Sequence, residues 1–167
     1  MAYFFIGLAI ILRLVPHAPN FAPIAALALF GAVYLNKKYS IILPVAALII
    51  SDFFIGFYSW KILASVYISF GLVGLIGLWV RKNKKVATVI GGTLAGSVLF
   101  YIVTNFAVWA FTAMYPHTLQ GLITCYAVAI PFFRNTLMGD LFYVGLFFGS
   151  YELAMALSAR KAQAQKA

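Results

Sequence analysis

Carboxylates are nearly missing from this chain: Asp52, Asp140 and Glu152 are its only acids, against twelve lysines and arginines in 167 residues. A transport proton relay needs ionisable groups through the full depth of a bilayer, so this scarcity argues against a self-sufficient pump. Cysteine is limited to Cys125, which excludes an internal disulfide. No nucleophile–base–acid set, phosphate-cradling glycine loop or zinc-protease motif occurs, so no catalytic residues are assigned and the expectation is a protein that is not an enzyme and carries no cofactor. Charge is scarce as a whole, at 9% of residues.

Apolar side chains take its place. They fill 65% of the chain, and the mean hydropathy is +1.01, whereas soluble domains run at roughly 45–50% apolar. The composition predicts an integral membrane protein. At this length it is expected to be one transmembrane domain over residues 1–158 with a basic cytoplasmic tail over 159–167, and there is no room for a soluble domain. The start of the chain lacks a basic n-region and an Ala-x-Ala cleavage pattern, so residues 1–15 read as a retained helix.

The basic residues are clustered. Nine of the twelve fall in Lys37-Lys38, in Arg81-Lys82 with Lys84-Lys85, and in Arg160-Lys161 with Lys166. The net charge of +9 would point to nucleic acid in a soluble protein; confined to short loops and a tail beside apolar runs, it marks the cytoplasmic face and contact with anionic headgroups instead. Nucleic acid is therefore not expected as a partner.

Between the clusters the apolar runs are 3–14, 21–35, 41–58, 62–80, 86–114, 121–133 and 137–157. The first two are too short for a roughly 30 Å hydrocarbon core and form a short hairpin joined by a proline-rich turn below the outer surface. The third is expected to be a full span. A crossing by 121–133 would place the basic tail outside, so this run reads as a re-entrant or interfacial piece before the last helix. The expected fold is an all-α integral membrane bundle of about six transmembrane helices with both termini cytoplasmic. Small residues at helical spacing, among them Gly145 with Gly149 and the row Gly71, Gly74, Gly77, allow close helix packing in lipid.

With that orientation the unusual polar residues gather in the outer half: His17 and Asn20 at the first turn, Asp52 near the end of the third run, Asn105 and Trp109 in the fifth, then His117, and Arg134, Asn135 and Asp140 opening the last. These nine are the candidate substrate-binding residues. A carboxylate inside a span costs about 2.5–3.5 kcal/mol and faces a partner or a cavity. Asp52 could pair with Arg13 or Lys61 and Asp140 with Arg134, which would only fix register, or either acid could line a ligand pocket. Trp109, one turn beyond Asn105, presents an indole and an amide on one face, a pairing suited to a flat heterocycle. His17, His117, Cys125 and the carboxylates could compose a borderline metal site, but no HxxH, HxxxH or CxxC spacing supports one. Aromatic residues toward the outer side, including Tyr58, Trp60, Tyr101, Tyr115 and Tyr126, also fit an interface belt.

The segments Val15-Pro16-His17-Ala18-Pro19-Asn20-Phe21-Ala22-Pro23-Ile24-Ala25-Ala26-Leu27, Ser51-Asp52-Phe53-Phe54-Ile55-Gly56-Phe57 and Asn135-Thr136-Leu137-Met138-Gly139-Asp140-Leu141 resemble a family of small uncharacterised bacterial membrane proteins. In length, span count and topology that family looks like the S-components of energy-coupling-factor vitamin transporters. The resemblance implies a multi-pass protein of the bacterial plasma membrane that captures a vitamin or metal-related micronutrient in an outward pocket. A transmembrane coupling protein with paired ATPase subunits would then topple it to release the ligand. S-components dock through small residues, often Ala-x-x-x-Ala, a spacing found here in Ala22/Ala26 and Ala28/Ala32, and Cys125 invites comparison with the cysteine that some relatives turn toward cobalt. The alternatives are a membrane-embedded enzyme or accessory factor at the outer leaflet, with His117 and Asp140 as acid and base within about 3 Å of each other or bridged by one water, and a structural scaffold.

Overall fold

The computed structural model describes residues 2–15 and 19–165, and every regular element among them is helical. In chain order these are α1 (Ala2–Leu14), α2 (Ile24–Tyr34), α3 (Ile42–Ile55), α4 (Trp60–Lys82), α5 (Val86–Phe111) and α6 (Leu119–Ala164). The fold is all-α, as the composition predicts.

α2 organises the bundle. Its sequence, IAALALFGAVY, is apolar on every side, and a helix of that kind has to be buried all round. Every residue from 25 to 33 is buried, and α2 packs against each of the other five helices. The closest approach is to α4: a Cβ on Gly77 would lie 2.5 Å from the Ala32 Cβ and 3.1 Å from the Leu29 carbonyl oxygen. The Ala26, Ala28 and Ala32 side chains are thus occupied inside the bundle. Below them Phe5, Phe30, Phe147 and Tyr151 pack ring against ring and tie α1, α2 and α6 together.

Helices long and apolar enough to cross a membrane number three among the described residues, α4, α5 and α6, rather than the six expected. α1 and α2 are short as anticipated, at 13 and 11 residues. The full span expected over 41–58 is corrected to a 14-residue helix, because Gly56 takes φ 105° and closes α3 after Ile55. At 1.5 Å per residue α3 rises about 21 Å.

The re-entrant or interfacial piece over 121–133 is also corrected. Those residues are the opening turns of α6, a single 46-residue helix that starts under the Thr118 hydroxyl, which accepts from Gly121 N at 3.1 Å. Pro131 lies inside it; proline removes one i to i−4 bond, here to the Ala127 carbonyl, without ending the helix. Residues 159–164 of the expected tail continue α6.

Side-chain contacts fix the directions. Gly92 meets Val80 and Gly96 meets Val73, so α4 and α5 are antiparallel. Ser97 meets Asp140 while Lys84 pairs with Glu152, so α5 and α6 are antiparallel too. Arg81 Nη1 donates to the Leu35 carbonyl at 2.7 Å. The end of α2, the end of α4, the start of α5 and the late turns of α6 therefore share one end of the bundle, and it is the end that carries the basic clusters.

Candidate functional site

α5 is polar where it should be apolar. Thr93, Ser97, Tyr101, Asn105 and Trp109 recur every four residues, a spacing that places side chains on one helix face. That face turns inward: Thr93 and Ser97 are buried, and Tyr101, Asn105 and Trp109 are partly buried. Thr93 and Asn105 donate within α5, to the Val89 and Tyr101 carbonyls at 2.8 Å each, while other groups lash α5 to α6. Tyr101 OH donates to the Tyr126 carbonyl at 2.6 Å, Tyr126 OH to the Ile102 carbonyl at 2.7 Å, and the Cys125 thiol to the Asn105 carbonyl at 3.4 Å. Deeper in the bundle Ser97 Oγ donates to Asp140 Oδ2 at 2.6 Å.

Asp140 is 2% exposed and lines a chamber of about 90 Å³ with Asn20, Phe70, Phe100 and Thr136. A second chamber of about 300 Å³ shares Asn20, Phe100 and Thr136 with it and adds Tyr58, Tyr101, Thr104, Asn105 and Phe133. The two are adjacent chambers divided by these shared residues. They make up a candidate site at the end away from the basic clusters, with hydroxyls and amides around the larger chamber, aromatic rings on the sides and one carboxylate in the smaller chamber. Asn20 sits at its mouth in the left-handed region, φ 62°, which asparagine tolerates better than most residues. No cation lines either chamber among the described residues.

The structure brings Asn20, Asn105 and Asp140 together and places the other candidates elsewhere. Asp52 is buried in a closed network between α1, α3 and α4. Arg13 Nη2 lies 2.5 Å from Asp52 Oδ1, Tyr67 OH donates to Oδ2 at 2.8 Å, and Arg13 Nη1 donates to Ser51 Oγ and to the Leu48 carbonyl at 3.1 Å. Of the two partners weighed for Asp52 it is Arg13 that meets it; Lys61 lies over the Phe111 and Trp60 rings. Arg134 does not meet Asp140. It is exposed and borders a third cleft of about 370 Å³ with Asn135, Pro131 and Met138, which shares Phe132 with the larger chamber and where Asn135 Nδ2 donates to the Pro19 carbonyl at 3.1 Å.

Trp109 and His117 brace the connection into α6. The Trp109 indole donates to the Pro116 carbonyl at 3.0 Å, its ring stands 5.8 Å from the His117 imidazole, and His117 Nε2 is 3.3 Å from the Thr112 carbonyl. With Asp140 opposite Ser97 and His117 against Trp109, twelve residues of α5, or about 18 Å, separate the acid and base of the enzyme alternative. His17 lies outside the described residues. No group of three or more metal-ligating side chains occurs among the described residues.

Thr104 and Thr136 line the site and Ser97 holds its carboxylate, three residues that the sequence did not single out. The four-residue polar row of α5 carried the signal for Ser97 alone, and Tyr58 and Tyr101 stood in the aromatic set but read equally well as an interface belt.

Residues 1–164 match the model of a family of unknown function, DUF6580, and the chain belongs to that family. No curated protein and no solved structure matches it.

Proposed function

We propose that this chain, a member of a family whose activity is unassigned, is a membrane-embedded subunit that captures a small polar micronutrient in the cavity floored by Asp140. Support for a bilayer setting comes from α5, which is built inside out. Its outer face carries Val86, Ile90, Leu94, Val98, Ile102 and Phe106, all exposed, while its hydroxyls and amide turn inward. Water would expel such a face; hydrocarbon welcomes it. In this reading all six helices lie in the membrane, α2 sheltered by its neighbours and α1 and α3 each turning an apolar face outward. The basic end faces the cytoplasm of a bacterial plasma membrane with both termini on that side, and the cavity opens outward.

The observation that carries the functional reading is the cavity itself. A mostly apolar pocket with a few convergent polar groups is the usual form of a small-molecule site, and an intramembrane carboxylate at its floor selects a ligand that donates hydrogen bonds or bears positive charge. Phe100, Phe132 and Phe133 supply flat walls for a ring. The chain contains no motif for ATP hydrolysis, so uptake is assigned to a partnership of the kind made by energy-coupling-factor S-components, with a transmembrane coupling protein and ATPases.

The test is a panel of water-soluble vitamins and free transition-metal ions added to the purified, detergent-solubilised chain, read by thermal shift and native mass spectrometry. One class of compound is expected to stabilise the protein, with Asp140→Asn weakening it tenfold or more and Asp52→Asn leaving affinity unchanged in whatever fraction folds. Silence across the panel, together with Asp140→Asn cells that take up micronutrients like the parent, would sink the proposal.

A further inference from the structure

A second concavity lies at the opposite end, on the outside of the bundle. Between α5 and α6 a crevice of about 610 Å³ is walled by Val86, Val89, Ile90, Val144 and Phe148 and floored by Gly145 and Gly149. The glycines make it: both are exposed, and a Cβ on either would meet nothing within 4 Å. It extends along α6 from Leu141 to Glu152, eleven residues or about 16 Å, close to half of a roughly 30 Å hydrocarbon core. One leaflet is the length it fits.

Its mouth is charged. Lys84 and Lys85 both line it, with Tyr34 and Glu152. Lys84 is held in place by an ion pair to Glu152 and stands 4.8 Å over the Tyr34 ring. Lys85 makes no ion pair among the described residues, so with Lys84 offset by Glu152 the mouth is net positive. The start of α5, which has no side-chain cap, adds the positive end of its dipole at the same place.

We infer that this crevice is a binding site for one anionic phospholipid of the cytoplasmic leaflet, its phosphate on Lys85 and Lys84 and one acyl chain along Gly145 and Gly149. The charge complementarity selects the occupant: a neighbouring helix would bury the lysines against apolar surface, whereas a phospholipid satisfies the apolar crevice and the cationic mouth together. Basic pockets beside membrane helices on the cytoplasmic side are recognised settings for anionic headgroups. The inference rests on the bilayer reading proposed above and is independent of the Asp140 cavity.

The experiment uses the full chain. Its partition between aqueous and detergent extracts is measured first, and the detergent-purified protein is then titrated with phosphatidylglycerol or phosphatidylcholine and read by native mass spectrometry and thermal shift. Phosphatidylglycerol is expected to remain bound where phosphatidylcholine is lost. Lys85→Gln is expected to weaken it about fivefold, and Gly149→Leu, which fills open space and favours the helix, to abolish retention of phosphatidylglycerol without lowering the unfolding temperature of the lipid-free protein. Equal binding of the two lipids, or retention unchanged by both substitutions, overturns the site while leaving the bilayer reading intact. Recovery of folded protein from cells in aqueous buffer without detergent overturns both.

Discussion

Two aspartates of similar sequence setting have opposite fates, and the difference lies in what reaches them. Asp52 is met by a guanidinium 39 residues away, two hydroxyls stand within the same network, and the group closes on itself. Removing one partner of a buried pair leaves an uncompensated charge and costs about 3–5 kcal/mol. Arg13→Ala is therefore expected to lower the unfolding temperature of the purified protein sharply, and Arg13→Ala with Asp52→Leu to recover most of the loss; a double variant no better than the single one contradicts this account. Asp140 is met by a serine and a cavity. The partner that sequence proximity offers it, Arg134, is six positions away, about one and two-thirds helical turns, so the two side chains leave the helix on different sides. That exclusion follows from helix geometry alone. The Arg13 partnership of Asp52 was legible as one of two alternatives, because only tertiary packing decides between a cation on α1 and one on α4.

Helix lengths were less legible than helix positions, for a reason the chain makes plain. Hydropathy marks where a helix is apolar and says little about where backbone hydrogen bonding stops. Gly56 ends α3 by taking a left-handed φ while the apolar residues run on through Phe57 and Tyr58. Pro131, Arg134 and Asn135 look like a break, yet α6 runs through all three, because an exposed polar side chain leaves the i to i−4 ladder untouched and a proline removes only one bond. What does fix α6 is its start. Gly121 packs its α-carbon against the Pro116 carbonyl so closely that a Cβ there would overlap the oxygen, while a Cβ on Gly145 in the same helix meets open space. Gly145→Ala is expected to raise the unfolding temperature through a helix-propensity gain of about 1 kcal/mol, and Gly121→Ala to lower it despite the same gain. Thermal melts of the two variants side by side check this; two shifts of the same sign would mean that the connection from Thr112 to Thr118 yields freely.

At the scale of the whole molecule the arrangement is a gradient: lysines and an anionic-lipid crevice at one end, a polar cavity at the other, and the buried α2 between them. The basic clusters, legible at once in the sequence, predicted that three separate parts of the chain share a face. The contacts of Arg81 with Leu35 and Lys84 with Glu152 bring two of those parts together, and α6 projects the third beyond Glu152 as exposed helix. The cavity was legible only as a list of polar residues, since which of them converge depends on the antiparallel register of α5 and α6. That register makes a prediction separable from membrane orientation. In a Cys125→Ser background, Lys82→Cys and Ser158→Cys lie at the same end and His117→Cys at the other, all on exposed residues. An impermeant maleimide added to intact cells is expected to label His117→Cys alone, and all three after permeabilisation. Labelling of Lys82→Cys and Ser158→Cys together from outside would keep the fold and reverse its direction in the membrane, turning the Asp140 cavity toward the cytoplasm. Labelling of only one of the two would dismantle the antiparallel pairing on which both the cavity and the crevice depend.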